Sequence, residues 1–176
     1  MLNARQIDLA VLFDSRIQAS QTLRSARRWS LLPLLEEDLF LITAKAHASP
    51  RRGGRMRLNQ LRDEPLILPS GPHGLRSTLD AAFARARVTP NLVLEVDSLA
   101  MLMDAVSAGL GGTLQPWAAV ARCADAHTRF HMARITDAGV TRENWLCALS
   151  EEELSPAALA ARVVLRDCAQ ALVQAG

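Results

Sequence analysis

Short apolar runs alternate with stretches of helical period along this chain. Ile7-Asp8-Leu9-Ala10-Val11-Leu12-Phe13 is nearly continuous in apolar residues and predicts a buried strand. Residues 14 to 30 are polar and rich in Ser and Arg, which predicts a loop or a ragged helix. Leu39-Phe40-Leu41-Ile42-Thr43 and Leu66-Ile67-Leu68-Pro69 predict further strands, with a breaker-rich connection over residues 46 to 57 between them. Pro69-Ser70-Gly71-Pro72 stops the third strand, and Pro72 suits the first position of a helix. Leu75, Leu79, Phe83 and Ala86 then fall on one helical face. Leu92-Val93-Leu94-Glu95-Val96 is the next strand, and Ser98 is placed as an N-cap. Behind it Leu99, Leu102, Met103, Val106 and Leu110 give a helical stripe, ended by Gly109 or Gly111. Gly112 to Pro116 predicts a short strand leading into a helix over residues 117 to 124. Residues 130 to 135 and 145 to 149 are strand-like. Ser155 and Pro156 open a last helix, with Leu159, Val163 and Leu172 on its buried face. This alternation predicts an α/β fold with largely parallel sheets.

Composition narrows the class. With 176 residues, 49% of them apolar, the chain can close a core, which excludes a wholly disordered protein. The length fits one domain or two small lobes. No apolar run approaches the roughly 20 residues needed to span a bilayer, so no membrane role is expected. Cys123, Cys147 and Cys168 have no CxxC spacing and leave one thiol over, which argues against a disulfide framework and for a cytoplasmic setting. The net charge is +2, with +5 over residues 1 to 57 and −3 over the rest. That total is too near neutral for a dedicated nucleic-acid coat. Arg51-Arg52-Gly53-Gly54-Arg55-Met56-Arg57 has no stacking aromatics and reads more simply as a solvated connection.

Chemistry concentrates at strand-to-helix turns, because parallel α/β sheets bind ligands beyond the carboxyl ends of their strands. In Pro69 to Arg76, open helix N–H groups favour an anion, Ser70 adds a hydroxyl, Gly71 and Gly74 admit a ligand close to the backbone, and Arg76 is placed to grip a carboxylate. A bare helix cap with an exposed Arg is an equally weighted reading. Asp97-Ser98-Leu99 is a second such turn, where Ser98 reads first as an N-cap. In the third, Gln115-Pro116-Trp117, Gln115 supplies an amide, and Trp117 is either an aromatic wall or core packing. Enzyme readings are weak: Ser70 and His73 lack a GxSxG elbow, and Asp8 and Asp14 have no paired carboxylate. His47, His73, His127 and His131 are too scattered for a metal centre, and no phosphate-loop or dinucleotide fingerprint is present. The expectation is therefore no metal, no cofactor and no catalytic residue.

The order of several segments carries more than any one of them. Ile7 to Val11 is followed by Pro33-Leu34-Leu35-Glu36-Glu37-Asp38-Leu39-Phe40-Leu41-Ile42, then Leu66-Ile67-Leu68-Pro69-Ser70 with His73-Gly74-Leu75-Arg76. Glu95-Val96-Asp97-Ser98, Val106 to Gly111, Gln115-Pro116, Arg142 and Leu154 to Ala158 complete the series. The series resembles the effector-binding domain of LysR-type transcriptional regulators, nearest to the nitrogen-assimilation-control branch. The resemblance implies two Rossmann-like lobes of the type 2 periplasmic-binding-protein kind, with a small effector in the cleft between them. Lobe I would be residues 1–45 and 143–176, lobe II residues 46–142, with crossings near Thr43 to His47 and Thr141 to Trp145. Ser70, His73, Gly74, Arg76, Ser98 and Gln115 would line lobe II, facing Phe13 and Asp14 of lobe I. It further implies a homodimer or higher homo-oligomer, an effector that is a carboxylate or other anion, and DNA contact only through a winged helix-turn-helix. That domain, like the first strand and helix of lobe I, is not in this sequence, so a truncated regulator is expected. A transport solute-binding protein shares the architecture but would carry a secretion signal. A deaminase or dehydratase would need an acid–base pair across the cleft.

Overall fold

The computed structural model describes residues 7–13, 29–47, 54–71, 74–121, 123 and 125–174. Among these, the strands are β1 (Leu9–Leu12), β2 (Trp29–Ala44), β3 (Arg55–Met56), β4 (Pro65–Leu68), β5 (Asn91–Glu95), β6 (Thr113–Pro116), β7 (Phe130–Ile135) and β8 (Thr141–Leu149). The helices are α1 (Leu75–Ala86), α2 (Leu99–Ser107), α3 (Ala126–Arg129) and α4 (Pro156–Gln174). The chain divides into two compact units, Met1–Glu36 with Glu143–Gly176, and Glu37–Arg142. β2 and β8 each contribute residues to both.

In the Glu37–Arg142 unit, β2 is flanked by β6 and β7, both antiparallel to it, with Leu41 opposite Leu114 on one side and Ala133 on the other. β3 adds outside β7, parallel, with Met56 beside Ile135. β4 and β5 are parallel neighbours, Leu66 beside Leu92 and Leu68 beside Glu95. β4 joins the β6 side through Gly112: Ile67 N–H donates to the Gly112 carbonyl at 2.8 Å, and Gly112 N–H donates to the Pro65 carbonyl at 2.8 Å. Side chains alternate across these strands with a period of two. Leu39, Leu41, Leu66, Leu68 and Leu114 bury against Leu79 and Phe83 of α1. Ile42 and Ile67 point the other way and bury against Leu102, Met103 and Val106 of α2. Helices on both faces are the reason β4 and the Leu39 to Ile42 stretch of β2 are apolar throughout.

One close approach fixes the β4–β6 junction. A Cβ at Gly111 would sit 2.7 Å from the Pro65 carbonyl oxygen, a backbone atom that cannot yield. The absence of a side chain there lets β4 bond alongside β6.

In the other unit, β1 lies antiparallel to β8, with Val11 beside Leu146. Ser155 caps α4, its Oγ accepting from Ala158 N–H at 3.2 Å. Leu149, Leu154 and Ala158 form a small core with Leu9 against it.

The α/β class stands as expected; several details do not. The basic connection ends in a strand, β3, because Met56 buries beside Ile135 of β7, and α3 is a short helix that the sequence pattern does not predict. The parallel character holds for β4–β5 and β3–β7, whereas β2 and the β1–β8 pair are antiparallel. β1 is only partly covered, with Val11 38% exposed, because its described pairing is to β8 alone. β2 runs for 16 residues and takes in Trp29 and Ser30, since its leucine-rich content continues well before Leu39. The expected helix after Pro116 is one 3-10 turn, Trp117–Ala119. Leu99 and Leu110 fall off the buried stripe of α2, because the helix ends at Ser107 and Leu99 sits in its first turn. On α4 the buried positions are Ala158 and Ala169, while Leu159 and Val163 are exposed; the helix meets its unit through small residues. The side chain of Leu172 and the whole of Pro72 lie outside the described residues.

A test follows from Gly111. Gly111→Ala lowers stability by about 1–3 kcal/mol through overpacking, read from the urea midpoint. Ala at Gly54, where nothing lies within 4 Å, leaves the midpoint within about 0.5 kcal/mol.

Candidate functional site

The carboxyl ends of β4 and β5 stop side by side. Leu68 is registered with Glu95, and Val96 N–H donates to the Leu68 carbonyl at 3.0 Å. The chain leaves β4 through Pro69-Ser70-Gly71 and enters α1 at Gly74. It leaves β5 through Val96-Asp97-Ser98 and enters α2 at Leu99. Ser70 and Asp97 each lie two residues beyond a registered pair, so the sheet itself brings them together.

Their contact is close. Ser70 N–H donates to Asp97 Oδ1 at 3.0 Å. Ser70 Oγ lies 2.7 Å from Oδ1 and 2.6 Å from Oδ2, and its one proton is given to one oxygen at a time. The Ser70 hydroxyl, and then the Ser70 N–H, hold the Asp97 carboxyl below the usual carboxylate range. Asp97 remains exposed to solvent.

Arg76 behaves differently from a waiting cation. Its side chain is 17% exposed. Nε donates to Asp80 Oδ1 at 2.8 Å, one helical turn on. Nη1 donates to the Pro69 carbonyl at 2.9 Å and to Glu95 Oε1. The Asp80 and Glu95 carboxylates hold its pKa above the ordinary arginine value. Arg76 thus ties the start of α1 to the ends of β4 and β5, and its charge is met by two acids.

The first turn of α1 is open. Its N-cap, Gly74, has φ of 58° and has no side chain with which to cap those N–H groups. Gly71 also has positive φ, 77°. Ser98, by contrast, caps α2, accepting from Met101 N–H at 3.4 Å. Gln115 stands near the end of β6 and is only 6% exposed. Trp117 is 42% exposed and its ring lies 5.7 Å from that of His127, which overturns core packing as its role.

The structure therefore brings Ser70, Gly74, Arg76 and Ser98 onto adjoining turns, with Gln115 on a strand running the same way. Phe13 belongs to the other unit and is exposed. His73 and Asp14 lie outside the described residues. Asp97, Glu95 and Asp80 take roles here that the sequence pattern does not assign them. The four-residue spacing of Arg76 and Asp80 signals their pairing. Asp97 needed the β4–β5 register, which no local pattern displays. Within the Glu37–Arg142 unit, its two end residues pair: Arg142 donates to Glu37 Oε2 from Nε at 2.8 Å and Nη2 at 2.6 Å.

Comparison with known proteins now decides the family. The family model described as LysR substrate binding domain matches residues 1–170. The chain belongs to this family. The LysR substrate-binding domain is a module of transcription regulators and not an enzyme family. The chain is 29% identical over 160 residues to the nitrogen assimilation regulatory protein nac of Escherichia coli (strain K12), covering 91% of this chain and 48% of the relative. It thus spans about half the length of that curated relative. Two solved structures share the fold. The effector binding domain of QuiR in complex with shikimate has a TM-score of 0.74 and 20% identity, over 96% of this chain and 75% of that one. The regulatory domain of CcmR of Synechocystis PCC6803 in complex with 2-PG has a TM-score of 0.76 and 17% identity, over 95% and 76%. The expected type 2 periplasmic-binding-protein-like architecture is the fold of these domains. No described helix is long and apolar enough to cross a membrane.

The strut role of Arg76 has a measurable consequence. Arg76→Ala lowers unfolding free energy by about 1–2 kcal/mol. Arg76→Lys recovers only part, because one ammonium cannot span the acceptors a guanidinium fork reaches. Urea unfolding of the three proteins gives the ranking.

Proposed function

We propose that this chain is the ligand-sensing part of a cytoplasmic LysR-type transcription regulator. In this reading lobe I comprises residues 1–45 and 143–176 and lobe II residues 46–142. DNA is contacted through a winged helix-turn-helix outside this sequence, and effector domains pair as homodimers or higher homo-oligomers.

The observation that carries the reading is the start of α1 at Gly74, which has no side-chain cap and follows the Ser70-Gly71 exit from β4, at the carboxyl ends of parallel strands within a fold that relatives use to hold small molecules. Uncapped N–H groups at the positive end of a twelve-residue helix suit an anionic group. Ser70 supplies a hydroxyl beside them. Since Arg76 is already balanced by Asp80 and Glu95, the backbone, and not that side chain, is the main source of attraction. Regulation follows by population shift. An effector that binds one arrangement of the regulator better than another moves the equilibrium by its differential affinity and no more.

Calorimetric titration with a panel of small carboxylates, shikimate among them, tests this. At least one binds without turnover, and Ser70→Ala weakens it about tenfold, the loss of roughly one charge-assisted hydrogen bond. Binding indifferent to Ser70→Ala, or conversion of the bound compound, contradicts the reading.

A further inference from the structure

The Ser70 donors that precede the first turn of α1 already hold an anion. Ser70 N–H and Ser70 Oγ both point to the Asp97 carboxylate, at 3.0 and 2.6–2.7 Å. We propose that Asp97 is an internal competitor for the effector's anionic group, seated on Ser70 until an effector displaces it. The inference rests on the turn being the effector site and goes further, by assigning a residue that sets affinity there.

Three features of the surroundings fit a displaceable group. First, Ser70 alone holds the carboxylate by hydrogen bonds; no cation pairs with it among the described residues, and the nearby Arg76 is spent on Asp80 and Glu95. Secondly, Asp97 is exposed, so its carboxylate can swing into water without burying a charge. Thirdly, the backbones on either side are fixed by the β4–β5 register and by the bond from Val96 N–H to the Leu68 carbonyl. Displacement then needs only side-chain rotation. While seated, Asp97 also repels an incoming anion. At about 4 Å in water that repulsion alone is worth roughly fivefold in affinity, and more where solvent is partly excluded.

Sulfate serves as the probe, because it carries charge and acceptors and nothing else. Calorimetry at constant ionic strength compares the wild-type chain with Asp97→Asn and Asp97→Ala. Both variants bind sulfate about tenfold more tightly, and adding Ser70→Ala to Asp97→Asn removes the gain. Circular dichroism and the melting temperature confirm that each variant is folded; two exchanges at an exposed position give two chances of a folded protein. Equal or weaker sulfate binding by folded variants overturns the proposal, as does an Asp97→Asn gain that survives Ser70→Ala. Carboxylate binding that depends on Ser70 but ignores Asp97→Asn overturns the competitor and leaves the effector site standing. Loss of all Ser70-dependent binding overturns the site itself.

Discussion

The parallel registration of β4 with β5 is the constraint on which the rest of the site depends. It sets Leu68 beside Glu95, and by chain continuity it sets Ser70 against Asp97. The registration itself needs β4 to be anchored on its other edge. That anchoring passes through Gly112, whose N–H and carbonyl bond to Pro65 and Ile67. It is possible because Gly111 has no side chain to strike the Pro65 carbonyl. A packing detail some way along the chain from any ligand contact thus decides where two polar side chains meet.

Two polar arrangements share this small region and do different work. Arg76 is largely covered and bonded at three points, so it acts as a brace between helix and sheet. The Ser70–Asp97 contact is exposed and carries an unneutralised charge, so it can exchange partners. Covered, multiply bonded groups hold shape, whereas exposed, singly partnered ones are free to trade. A regulatory domain needs both: a rigid frame for the turn and a contact that a ligand can replace at small cost.

Much of the frame was legible from residue order alone. The β4 and β5 runs, the stripe of Leu75, Leu79 and Phe83, and the Ser98 cap all follow from local physics, because each concerns neighbours within a turn or a strand. Exposure at Leu99, Leu110, Leu159 and Val163 was not legible. An apolar stripe says that a face wants cover, and only the tertiary arrangement says whether it is covered. The site shows the same division. The turn at Ser70 and Gly74 announces itself through its glycines and prolines. The roles of Asp97 and of Arg76 depend on which strands are neighbours, and that information is not local.

The central claim is that the sheet seats Asp97 on Ser70. A carboxyl held below its unfolded value stabilises the fold above the ordinary carboxylate range, and that contribution is lost as pH falls through the folded value. Carbon-detected NMR titration of the Asp97 side-chain carboxyl measures this directly. The structure predicts a midpoint below the usual aspartate range that rises toward it in Ser70→Ala. A midpoint at the ordinary value, or one that Ser70→Ala leaves in place, contradicts the account.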